Sequence, residues 1–168
     1  QSTNVQISNF PGVTAQVVSS FSVTCFNLFY GALTANGISG SIPYTYYWNN
    51  GFTTSIITSL CSGIYTLTVT DNNGCTSSTS FTINQPTALT ANITPANVSC
   101  NGQCNGSAAS TVSGGTPSYL YSWTNGQSTS NVTGLCQGSY TITVTDASGC
   151  SFAQTIVITE PSALSYSV

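Results

Sequence analysis

The chain repeats itself. Its most distinctive residues recur at one offset of about 75 positions without a gap: Cys25 and Cys100, Tyr44 and Tyr119, Trp48 and Trp123, Leu60 and Leu135, Asp71 and Asp146, Cys75 and Cys150. A fixed period of this size marks a tandem array whose copies fold by the same rules. Pro11, Pro86 and Pro161 set the frame, giving two whole units, 11–85 and 86–160, and two flanking fragments. Residues 1–10 contain NVQISNF, which resembles the closing strand SFTINQ of the first unit with one residue inserted. Residues 161–168, PSALSYSV, match PTALTANI, the opening strand of a unit. The first fragment alternates Val5 and Ile7, the second Leu164 and Tyr166, and both read as assembly strands belonging to a preceding, following or neighbouring unit. Gln1 is read either as a mature terminus left by processing or as a cut within a longer array.

Inside each unit the period is that of strands. Tyr44, Tyr46 and Trp48 alternate along one segment, as do Tyr119, Tyr121 and Trp123, and period-two aromatics mark a half-buried strand. Tyr65, Leu67 and Val69 alternate with Thr66, Thr68 and Thr70, and Tyr140, Ile142 and Val144 with Thr141, Thr143 and Thr145. The DNNG and DASG segments that follow have hairpin-turn chemistry. Helix-period patterns are absent, and Gly, Asn, Ser and Pro clusters separate short β-branched runs. The expected fold is all-β, a sandwich of about seven strands per unit.

Composition narrows function. The chain has no Lys, Arg or His, and its only side-chain acids are Asp71, Asp146 and Glu160. Without basic residues it neither neutralises phosphates nor is drawn to anionic lipid, so nucleic-acid partners are excluded. No stretch is long and apolar enough to insert into a membrane as a helix. Ser and Thr make up roughly a third of the residues, so hydroxyls rather than charges face the water. Seven cysteines without a His or a C-x-x-C pair favour disulfides over zinc and place the chain in an oxidising compartment, outside the cell.

Leu60, Gly63 and Tyr65, repeated as Leu135, Gly138 and Tyr140, resemble the tyrosine corner of immunoglobulin-like domains, in which the phenol hydrogen-bonds backbone and pins the corner. Each unit therefore reads as one of a series of tandem immunoglobulin-like β-sandwich repeats. The succession C-N-G-x-C-N-G, G-G-T-P-x-Y-x-Y-x-W-x-N-G, L-C-x-G-x-Y-T-x-T-V-T-D-x-x-G-C and I-x-x-P-x-A-L resembles the SprB-type repeat of Bacteroidetes cell-surface gliding adhesins. That resemblance implies a secreted, multi-repeat surface protein that forms filaments and adheres, with no catalytic activity. The first unit departs from it where Phe29 replaces the equivalent of Cys104, and where Ser39 and Ile42 interrupt the Gly-Gly-x-Pro turn.

The disulfide set follows from these resemblances. An immunoglobulin-like sandwich brings the loop before its second strand and the loop before its sixth to one pole, which pairs Cys104 with Cys136. Phe29 then leaves Cys61 a free thiol. The residues remaining, and the two-cysteine repeats of the family, imply Cys25 with Cys75 and Cys100 with Cys150.

Catalytic chemistry has no foothold. No His activates a nucleophile, and Asp71 and Asp146 occupy equivalent turns with no second carboxylate beside them. Three acids in the whole chain fall short of a calcium site, so no metal or cofactor is expected. Asn92, Asn97, Asn105 and Asn131 each begin N-x-S/T and are glycosylation candidates, all in the second unit. The chain is expected to be a non-enzymatic subunit or segment of an extracellular cell-surface filament, a homopolymer assembled head to tail by strand complementation. The alternative is an adhesin stalk that binds glycans or a substratum. With so few ionisable groups, stability is expected to be flat between about pH 3 and 9.

Overall fold

The computed structural model describes residues 12–165. Every helix or strand in them is a strand, and the alternation read from the sequence is the reason: apolar side chains on one face, hydroxyls on the other. The chain divides into two compact units, one comprising the described residues to Val23 and Asn27–Gln85, the other Thr24–Phe26 and the described residues from Pro86.

The first unit has six strands, β1 (Thr14–Phe21), β2 (Gly31–Ile38), β3 (Thr45–Trp48), β4 (Ile56–Leu60), β5 (Gly63–Thr70) and β6 (Thr76–Ile83). They form two antiparallel sheets, β1-β2-β4 and β3-β5-β6. Leu33, Ala35, Ile57 and Leu60 from one sheet meet Trp48, Leu67, Val69 and Ile83 from the other in a single buried cluster. Full burial of each large side chain contributes roughly 1.5–3 kcal/mol.

The second unit repeats the plan with β7 (Thr90–Ala96), β8 (Gly106–Ser113), β9 (Leu120–Trp123), β10 (Asn131–Leu135), β11 (Gly138–Thr145) and β12 (Ser151–Ile158). Its sheets are β7-β8-β10 and β9-β11-β12, closed over Ile93, Ala108, Trp123, Val132, Leu135, Ile142, Val144 and Ile158. From the second strand of each unit onward, every boundary is displaced by the sequence period.

Six strands stand where about seven were expected. The segment between β3 and β4 is spent on a turn, in which Gly51 N–H donates to Trp48 O and Trp48 N–H to Phe52 O, both 2.9 Å. No chain is left there for another strand.

The expected alternation is present. Trp48 and Trp123 are buried, and their indole N–H groups donate to Thr54 O and Thr129 O at 3.0 Å. Tyr44, Tyr46 and Tyr65, with Tyr119, Tyr121 and Tyr140, are partly buried against the two cores. The tyrosine corner forms in both units: Tyr65 Oη donates to Cys61 O and Tyr140 Oη to Cys136 O, each 3.1 Å. Burial, with the Cys61 thiol beside it, raises the Tyr65 phenol above its ordinary pKa.

Each sandwich has two distinct poles. At one, the turn between the fifth and sixth strands meets the loop before the third, as in Asn72 N–H to Ser41 O at 2.9 Å. At the other, the loop before the second strand meets the ends of the fourth and sixth: Gly31 is in register with Leu60, and Asn27 N–H donates to Gln85 Oε1 at 3.1 Å. Eight-residue strands such as β5 and β11 run between the poles. At about 3.4 Å per residue the poles are roughly 24 Å apart.

Candidate assembly and modification sites

The acidic residues are structural. Asp71 is buried and accepts from Asn73 N and Cys75 N at 2.9 Å through Oδ1, and from Ser41 N at 3.1 Å through Oδ2. Asp146 repeats this with Ser148 N and Cys150 N at 2.9 Å and Thr116 N at 2.8 Å. Each carboxylate shapes its own turn and ties that turn to the neighbouring loop, which the turn reading did not include. Bonds to the N–H groups of Ser41 and Thr116, with the turn N–H groups adding to them, hold both carboxyls below the usual carboxylate range despite burial.

Gly115 explains itself in the same geometry. Its φ is +63°, and a Cβ there would lie 2.6 Å from Asp146 Oδ2. Gly40 stands the same way to Asp71, at 2.7 Å. Glu160 has a comparable fastening role, accepting from Asn101 Nδ2 at 3.0 Å and Gly102 N at 2.8 Å. Among the described residues no group of three or more His, Cys, Asp or Glu side chains gathers in one place.

Cys104 is bonded to Cys136, joining the loop before β8 to the loop before β11. Cys61 is a free, exposed thiol, and Phe29, at the position equivalent to Cys104, is exposed. The expected pairs Cys25–Cys75 and Cys100–Cys150 are not those of the structure. Cys25 is bonded to Cys150 within the second compact unit, whereas Cys75 and Cys100 are free and exposed. The reason is polar separation. Each expected pair joins a loop at one pole to a turn at the other, roughly 24 Å away by strand length, while a disulfide needs Cα atoms within about 7 Å.

All four sequon asparagines are exposed. Asn92 lies in β7 and Asn131 opens β10. Asn97 Oδ1 accepts from Thr159 N at 3.0 Å. Asn105 is engaged on both sides of its amide, accepting from Ser99 N at 3.1 Å and donating from Nδ2 to Ser99 Oγ at 2.6 Å. Of the assembly strands, Val5, Ile7 and Tyr166 lie outside the described residues, and Leu164 is fully exposed beyond β12.

Hydroxyls pair across the outer face of each three-stranded sheet that holds a Trp. Thr66 meets Ser80 at 3.0 Å, Thr68 meets Ser78 at 2.9 Å, and Thr141 meets Thr155 at 2.7 Å. On that face of the first unit Tyr47, in register with Thr68, is 59% exposed.

Comparison with known proteins yields one family match, to a part of the second unit. Residues 92–128 match the SprB repeat. That span runs from β7 to the turn after β9, and so takes in the loop bearing Cys100 and Cys104, the Gly114–Gly115 turn and the strand of Tyr121 and Trp123. No curated protein matches the chain. Similar solved structures include the N-terminal eight immunoglobulin domains of Down Syndrome Cell Adhesion Molecule, at 13% identity and a TM-score of 0.43, covering 90% of this chain and 25% of that one. A C-terminal 282-residue fragment of intimin, in complex with an intimin-binding domain, is similar at 16% identity and a TM-score of 0.44, covering 91% and 64%. The amphioxus IgVJ-C2 molecule shares 15% identity at a TM-score of 0.35, covering 87% and 99%. This chain thus spans less than two thirds of the first two.

Proposed function

We propose that the chain is a non-enzymatic part of an extracellular, cell-surface repeat protein of adhesin type, in which each sandwich is a spacer and copies assemble head to tail into a filament. The observation that carries this reading is the SprB-repeat match over 92–128, on a six-strand sandwich that the first unit repeats strand for strand. The two disulfides fit an oxidising exterior. The assembly step rests on sequence: residues 161–168 copy the opening of a unit and residues 1–10 resemble its close. A strand offered at an edge takes a partner because its backbone groups are otherwise unpaired.

The test is deletion of residues 1–10. The shortened chain should keep its two units folded, by circular dichroism and thermal melting, and should form no filaments in electron micrographs where the full chain does. Filaments of normal length from the shortened chain refute strand complementation.

One observation favours a second reading, a glycan-binding stalk. Tyr47 stands exposed among paired hydroxyls, an aromatic platform of the kind on which a sugar ring stacks. Tyr47→Ala should abolish retention on immobilised glycans if that face binds them, and unchanged retention refutes it.

A further inference from the structure

The Cys25–Cys150 bond lies within the second compact unit, and the covalent loop it closes is far longer than that of a local brace. The two residues are 125 positions apart in sequence and 5.7 Å apart between Cα atoms. Every strand from β2 to β11 is inside that loop, and so is the Cys104–Cys136 bond. Among the described strands β1 alone precedes the loop and β12 alone follows it.

Tension applied along a chain follows the shortest covalent path. Entering through β1, it reaches Cys25, crosses two sulfur atoms to Cys150 and leaves through β12, which starts at the next residue. β1 and β12 are eight residues each and already extended, at about 3.4 Å per residue, so pulling draws little slack from either. β12 is held at Cys150 and pulled beyond Ile158, so the tension runs along the strand itself and does not part its register pairs with β11. The strands of both cores that lie between the two cysteines are off the path. Unfolding of residues 26–149 inside a closed loop leaves Cys25 beside Cys150 and adds nothing to the end-to-end length. Without the bond, the same tension would run through both sandwiches and each would lengthen as it opened.

We infer that the Cys25–Cys150 disulfide is a mechanical bypass, which shields residues 26–149 from force and holds the chain at fixed length under tension. The inference deepens the spacer reading by naming what keeps the spacer from stretching, and it rests on that reading only for the source of the tension. The nested Cys104–Cys136 bond is idle while the outer bond is intact and becomes a second stop once the outer bond is broken.

Contour arithmetic sizes the effect. The outer bond spans 125 positions and the inner one 32, so at about 3.5 Å per extended residue they hide roughly 440 Å and roughly 110 Å. Breaking the outer bond alone therefore frees roughly 330 Å, and breaking both frees roughly 440 Å.

The test is single-molecule force spectroscopy on the full chain, its free thiols alkylated and its two ends held by cysteine-free handles. The unaltered chain should lengthen only by residues outside the loop. Cys25→Ser combined with Cys150→Ser should release roughly 330 Å more. The unaltered chain pulled in dithiothreitol should release roughly 440 Å more, a measurement that decides the matter even where the double variant folds poorly. Cys104→Ser combined with Cys136→Ser should leave the unaltered trace as it is, whether or not that sandwich stays folded. A bond that only stabilised the fold would raise the unfolding force without deleting length. The inference is overturned if the oxidised, unaltered chain releases the roughly 330 Å held by the outer loop, or if loss of Cys25 and Cys150 releases none of it. Single molecules are pulled, so a failed bypass leaves filament assembly standing, and a chain that forms no filaments still shows whether the hidden length is there.

Discussion

Phe29→Cys should add to the first unit the disulfide it lacks. Position 29 and Cys61 stand in the sequence relation of Cys104 and Cys136, whose separation is 32 residues, and both lie beside the same tyrosine corner. Closing a loop of that length removes about 3.7 kcal/mol of denatured-state entropy in the chain-entropy model, and engineered bonds deliver somewhat less, typically about 2–4 kcal/mol. The lost aromatic weighs little against this. Phe29 is 59% exposed, so its truncation forfeits less than half of the roughly 1.5–3 kcal/mol that full burial of a Phe would contribute. The net expectation is a gain of about 2–3 kcal/mol, roughly 10–20 °C in the midpoint of a unit this small. Cys75 and Cys100 would be replaced by Ser to remove rival thiols, and Trp123 by Phe so that Trp48 alone reports the first unit during urea unfolding. Mass spectrometry should show the loss of two hydrogens, and the gain should vanish in reductant. A confirmed bond with an unchanged midpoint refutes the entropic reasoning; failure of the bond to form refutes the equivalence of the two corners.

Three further outcomes follow from the turns. The Asp71 and Asp146 carboxyls are lowered relative to the unfolded chain, so the stability they add is complete above the unfolded value of about 3.9 and is lost as pH falls through the folded values. Thermal melting should therefore be flat from about pH 9 down to about pH 5 and decline below about pH 4, an acid limb that the flat expectation from composition omits; flatness to pH 3 would show the turns to be dispensable. Gly115→Ala should cost about 1–2 kcal/mol for its left-handed φ and more for displacing Asp146, whereas Gly134→Ala, at φ +73° with nothing within 4 Å, should cost the conformational part alone; equal losses in urea unfolding would contradict the contact. Ser39→Gly should stabilise the first unit by about 0.5–1 kcal/mol, because Ser39 sits at φ +64° where its twin is Gly114 at φ +75°, and the relief exceeds the added chain entropy; a lower urea midpoint would refute it.

The architecture was legible because burial in a two-sheet sandwich writes itself locally. Tyr65, Leu67 and Val69 face inward since every second residue of β5 must, and Leu67 and Val69 are fully buried. The tyrosine corner was legible for the same reason, since Tyr65 reaches a carbonyl only four residues back. The number of strands was less so. Whether the residues after Trp48 form a strand or a turn depends on bonds such as Trp48 N–H to Phe52 O, and Asn, Gly and Thr serve either. The depth of Asp71 was hidden too. Its turn bonds are local and readable, but the bond to Ser41 spans 30 residues and depends on which loop shares the pole.

The cysteines show where a periodic sequence misleads. Periodicity tells which residues are equivalent, and equivalence invites pairing inside each copy, because Cys25 and Cys75 then repeat as Cys100 and Cys150. Pairing between copies satisfies the same period, since shifting one member by a whole repeat leaves every equivalence intact. Strand direction breaks the tie. A loop before the second strand and a turn after the fifth lie at opposite ends of a sandwich roughly 24 Å long, so those two positions of one sequence repeat do not reach each other. Cys25 is bonded instead to Cys150, within the second compact unit, and Cys75 and Cys100 are free thiols. Cys104 and Cys136 share a pole and close within one copy. Same-pole cysteines of one sequence repeat thus brace its sandwich, while opposite-pole cysteines of one repeat stay apart.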